Sequence, residues 1–150
     1  MSLSELVARI RQSGARAAFV VSSFRGNPGT LQIILSSGDI PYELRIESGL
    51  LRREIESENH IRITRLVAVG TMNNTGETVQ DLSKTIATLL GVEFRSLSSE
   101  NEIVCGATSE VIMLFRGIGE KAIWCTFHSK DGQEIGPRIR LAGIRRNTNE

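Results

Sequence analysis

The sequence predicts an α+β fold: a single domain, residues 1–150, on a mainly antiparallel sheet of about six to eight strands with two or three helices, the main one at 77–90. Three observations predict it. Short runs rich in β-branched and aromatic residues recur along the chain, and turn-forming Gly, Pro, Asn, Asp and Ser separate them. Clear helical periodicity is confined to two stretches. Strands joined by short turns do not follow the strict strand-helix alternation of a parallel sheet.

The elements can be justified in order. Leu3, Leu6, Val7 and Ile10 lie on one face of a helix over 3–13, with Ser2 and Glu5 as a capping box and Gly14 as the stop. Ala17–Phe24 and Leu31–Leu35 read as a hairpin around Arg25-Gly26-Asn27-Pro28-Gly29. Tyr42, Leu44 and Ile46 alternate with Glu43, Arg45 and Glu47, the period of a strand with one wet face. Leu51 and Ile55 suggest a short helix over 50–58. Ile61 and Ile63 alternate with polar residues before the apolar run Leu66–Val69, which predicts a strand over 60–69.

The main helix carries the stripe Val79, Leu82, Ile86, Leu89 and Leu90, with Thr75 or Thr78 as its cap and Gly91 as its end. Four β-like runs come after it, 92–97, 102–107, 110–116 and 121–128, for which an antiparallel meander is the economical topology. Gly117-Ile118-Gly119 is a hairpin tip between two of them. Ser129-Lys130-Asp131-Gly132 is a turn, Ile139, Leu141 and Ile144 belong to a last strand, and a polar, frayed tail begins at Arg145.

Composition narrows the classes. Forty per cent hydrophobic and 23% charged residues are ordinary globular usage. No apolar run approaches the roughly 20 residues of a membrane span, and Glu5, Arg9 and Arg11 interrupt any export signal, so a soluble, cytoplasmic protein with no membrane partner is expected. The net charge of +1 conceals an uneven layout. Arg138, Arg140, Arg145 and Arg146 make the C-terminal end basic and Arg9, Arg11 and Arg16 the N-terminal end, whereas Asp39, Glu43, Glu47, Glu54, Glu56 and Glu58 make the region after the hairpin acidic.

Candidate chemistry is sparse. A thiol nucleophile would use Cys105 or Cys125 with His128 or His60, but alternation puts Cys125 and His128 on opposite faces of their strand, and cysteines in apolar strands act mainly as small hydrophobes. No Cys-x-x-Cys or His-x-x-x-His occurs, so no metal and no cofactor is expected. The loop from Gly70 to Gly76 enters the main helix, whose N-terminus offers an anion site at Asn74, Thr75 and Gly76. The same residues suit any strand-to-helix loop.

The basic ends carry the strongest hint. Arg138, Arg140, Arg145 and Arg146, with Arg9 and Arg16, suit the phosphates of a nucleic acid. Against this, aromatics are 5% of the chain and mostly lie within apolar runs. With no catalytic constellation, the leading reading is a non-enzymatic interaction module, a homo-oligomer or partner of another protein, joined through its acidic and basic segments. The alternative is an RNA- or DNA-backbone binder using the arginines at both ends. A small thiol-dependent enzyme comes third.

Overall fold

Hydrogen bonding in the computed structural model joins eight strands in the order β1-β2-β3-β8-β7-β6-β4-β5. They are β1 (Ala17–Phe24), β2 (Asn27–Leu35), β3 (Tyr42–Leu50), β4 (Arg65–Met72), β5 (Glu93–Leu97), β6 (Glu110–Ile118), β7 (Ala122–His128) and β8 (Arg138–Arg146). The helices among the described residues are α1 (Leu3–Ser13) and α2 (Glu77–Leu90). The fold class is α+β, as the sequence predicts. The structure describes residues 2–50, 65–72, 75–99, 102, 110–118, 122–129 and 132–147. The helix expected at 50–58, the start of the strand expected at 60 and nearly all of the run at 102–107 lie outside them. The chain divides into two compact units, Met1–Ile46 with Ala142–Glu150, and Glu47–Leu141.

In the first unit, the Ser2 hydroxyl accepts from the Glu5 amide at 3.2 Å to open α1, and Gly14, at φ 76°, closes it. That is the predicted helix, held by the predicted cap. The β1–β2 turn is tighter than expected, because Arg25 and Gly26 both take positive φ and so reverse the chain in two residues. Asn27, Pro28 and Gly29 consequently join β2, with a register shift between Ser22 and Ser23. The C-terminus also differs from expectation. Arg145 and Arg146 continue β8, and Asn147 ties down the end of that strand, its amide donating to the Pro41 carbonyl and its side chain to that of Ile40, both at 2.8 Å.

In the second unit, α2 occupies the predicted residues and buries Val79, Leu82, Ser83, Ile86 and Ala87. Its N-cap is Gly76, with no side-chain hydrogen bond, so neither Thr75 nor Thr78 caps it. The topology after α2 corrects the expected meander. β5 and β6 both pair with β4, on opposite sides of it, and both run parallel to it. Parallel neighbours need crossovers of about a dozen residues or more, and α2 and the segment 98–109 supply that length. Of the described strands after α2, β6, β7 and β8 form an antiparallel meander and β5 stands outside it.

Cross-strand register organises one face of this unit into rows. Ala68, Ile112 and His128 form the first row, Gly70, Leu114 and Thr126 the second. Ala68, Ile112 and Leu114 are fully buried and pack with Leu97, and each buried Leu or Ile contributes about 1.5–3 kcal/mol. Two residues further along β6, the same face carries Arg116 instead of Leu114.

Candidate nucleic-acid interface

The third row is cationic and aromatic. Arg116 on β6 stands opposite Trp124 on β7, which stands opposite Arg140 on β8. Alternation puts Arg138 on the same face, two residues before Arg140, while Ile139 and Leu141 point the other way, Leu141 into the core. The Arg140 guanidinium lies 5.6 Å from the centre of the Trp124 ring and that of Arg138 5.9 Å from it, both within cation–π range.

Two carboxylates hold these arginines unequally. Glu134 accepts from Arg138 in a fork, from Nε at 3.1 Å and from Nη2 by a shorter contact. That hydrogen bonding holds the Glu134 carboxyl below the usual carboxylate range against the opposing effect of its burial, and raises Arg138 in turn. Glu47, on β3, reaches Arg140 through a single contact, Oε2 to Nε at 3.2 Å.

The turn expected at residues 129–132 sets Glu134 in place. Gly132, at φ 79°, donates its amide to the Ser129 carbonyl, Ser129 donates to Gln133, and Ile135 donates back to Phe127. His128 is buried behind this turn, with Nδ1 2.9 Å from the Gly132 carbonyl and Nε2 2.9 Å from the Thr126 hydroxyl. A carbonyl only accepts, so Nδ1 carries a proton. The ring braces the turn that presents Glu134.

The other sequence-predicted residues fall elsewhere. Arg9 and Arg16, both exposed, and Arg145 and Arg146, exposed at the end of β8, belong to the first unit, whereas Arg138 and Arg140 belong to the second. Of the proposed anion site, Asn74 lies outside the described residues. Thr75 is buried, its amide donating to Met72 and its carbonyl accepting from the Gln80 side chain, and Gly76 is exposed. Glu77 brings an acid to the first turn, where an anion would otherwise dock.

Cys125 is buried and desolvation pushes its thiol up to about 12, so it is not a thiolate at neutral pH. Cys105 and His60 lie outside the described residues. Among the described residues, no group of His, Cys, Asp and Glu could hold a metal ion, and no helix is long and apolar enough to cross a membrane.

Sequence reasoning missed Trp124, Arg116, Glu47 and Glu134. Arg116 ends the apolar run Val111–Phe115 with a charge, a signal that was present, whereas Trp124 reads as one more member of its apolar run. The Glu47–Arg140 pair joins residues too far apart in sequence for any local pattern to show.

No family model matches the chain. In sequence it is 25% identical, over 143 residues, to a "Probable Brix domain-containing ribosomal biogenesis protein" of Methanopyrus kandleri, covering 92% of this chain and 73% of that protein. In structure it is similar to a "probable ribosomal biogenesis protein from Aeropyrum pernix K1", with a TM-score of 0.68 and 21% identity over 95% of this chain and 76% of that one. It is similar also to "Mil", "an archaeal Imp4-like protein", with a TM-score of 0.58 and 18% identity over 98% of this chain and 78% of that one. The chain is thus similar in sequence to a Brix domain-containing protein and shares the fold of an Imp4-like one.

Proposed function

We propose that this chain is a non-enzymatic RNA-binding protein of ribosome assembly, working in the cytoplasm and gripping the RNA backbone through arginines on the β6–β8 face. The observation that carries the reading is the row Arg116–Trp124–Arg140, with Arg138 beside it: three cations around an aromatic ring, Arg138 and Arg140 directly on it, at the wet end of a face otherwise buried. Arginine suits phosphate through its forked donors, and an aromatic ring adds a stacking surface. The similarity to a protein described as a ribosomal biogenesis protein supports the reading, because ribosomes are built on RNA.

Self-association, the reading the sequence placed first, ranks below it. Its motive was attraction between acidic and basic segments of different subunits. Here Glu47, from the acidic region, already meets Arg140, from the basic end, within one chain. A thiol enzyme built on Cys125 is disfavoured by the burial of that residue.

The test is fluorescence anisotropy of labelled single-stranded RNA across a salt series. Binding is expected to weaken steeply with salt, and Arg140→Gln to flatten the log–log slope by about 0.7, the share of one single-strand phosphate. An absence of binding at low salt would defeat the proposal.

A further inference from the structure

The two arginines on Trp124 touch the same ring yet are held very differently. Arg138 is forked onto Glu134, and the side chains of that pair are 36% and 21% exposed. Arg140 meets Glu47 through one contact only, and the side chains are 41% and 48% exposed. The Arg140 Nε is buried and lacks a hydrogen bond of good geometry, despite its 3.2 Å approach to Glu47. A forked, part-buried pair resists exchange, whereas an exposed pair with one imperfect contact yields readily to a better acceptor. Phosphate is such an acceptor, presenting several oxygens where Glu47 now presents one.

From this asymmetry we infer that Trp124 and Arg140 form a seat for one unpaired nucleotide: its base stacks on the indole, and its phosphate takes the Arg140 guanidinium from Glu47. Arg138 is the positioning residue, locked by Glu134 and keeping a fixed cation against the ring. Glu47 is an internal stand-in for the phosphate, neutralising Arg140 until RNA arrives. The inference rests on the RNA-binding reading and adds a ligand class to it. A duplex hides the faces of its bases, so a seat built on an aromatic ring selects unpaired RNA over paired.

Trp124 is the single tryptophan of the chain, so its emission reports on this ring alone. The full chain is titrated with an unstructured oligouridylate and, separately, with a hairpin duplex of equal length. Anisotropy of the labelled RNA reads binding, and tryptophan emission, on unlabelled RNA, reads the seat. The expected result is tighter binding of the unpaired RNA together with quenching of Trp124. Glu47→Gln, at an exposed position that leaves folding intact, should bind about two- to fivefold tighter, because the competing carboxylate is gone. Arg140→Gln should bind about tenfold weaker or worse, with Arg140→Lys restoring part of the loss. Rising anisotropy with unchanged emission, or Glu47→Gln binding no tighter than the native chain, would overturn the seat and leave RNA binding standing. No rise in anisotropy with either RNA would remove the RNA reading itself.

Discussion

Replacing Gly70 with alanine probes the parallel arrangement that sequence patterning did not show. Gly70 lies in β4, opposite Arg95 on β5 and Leu114 on β6. A Cβ there would stand 3.1 Å from the Arg95 carbonyl oxygen, 3.6 Å from the Leu114 Cδ1 and 3.7 Å from the Leu97 Cδ1. The two methyl contacts are ordinary, but the oxygen belongs to the paired backbone and cannot turn aside. Two effects oppose each other. Alanine restricts the unfolded chain, which stabilises by about 0.5–1 kcal/mol. Overpacking against a fixed neighbour costs about 1–3 kcal/mol. The cost wins, leaving Gly70→Ala destabilised by about 1–2 kcal/mol and its melting temperature lowered by about 3–6 °C. Gly117→Ala is the control, since a Cβ there meets nothing within 4 Å, and it should be neutral or slightly stabilising. Urea unfolding measures both, with unchanged m-values as the sign that only stability has moved. A Gly70→Ala protein as stable as the native one would refute the close β4–β5 register.

Two further outcomes are expected from the same structure. Because Arg138 holds the Glu134 carboxyl below its ordinary value, the pair stabilises the fold above the unfolded carboxyl pKa of about 4.3, and that contribution is lost as pH falls through the lower folded value. The deficit of Glu134→Gln seen in urea at pH 7 should therefore shrink as the pH drops below about 4, and a deficit independent of pH would contradict this linkage. In a Cys105→Ser background, Cys125 should resist iodoacetamide at neutral pH and react on denaturation; rapid labelling of the folded protein would contradict its burial.

Local signals made both helices legible. A cap, an apolar stripe and a terminal glycine specify Leu3–Ser13 and Glu77–Leu90 without tertiary help, although Gly76 rather than a threonine caps the second. Strand runs were legible for the same reason, since alternation at Tyr42 and Leu44 shows which side chains are buried. Strand partners were not. The apolar run Leu66–Val69 followed by a helix and another β-run is the pattern of a parallel crossover, yet periodicity alone does not say which strands pair. Arg138 and Arg140 were legible as cations on a wet face. Their setting was not, because Trp124 meets them only through the β7–β8 register, and Glu47 comes from a strand remote in sequence. Phe115 and Trp124 both lie within apolar strands as expected, but Phe115 is buried whereas Trp124 is half-buried on the cationic face, so its place in an apolar run did not reveal its exposure.

Photo-crosslinking to 4-thiouridine-substituted single-stranded RNA, with the attachment sites mapped by mass spectrometry, tests the central claim most directly. Attachment is expected at Trp124 and in the β7 and β8 segments flanking it, reduced in Arg140→Gln. Attachment confined to residues outside β6–β8, and indifferent to Arg140, would contradict that claim.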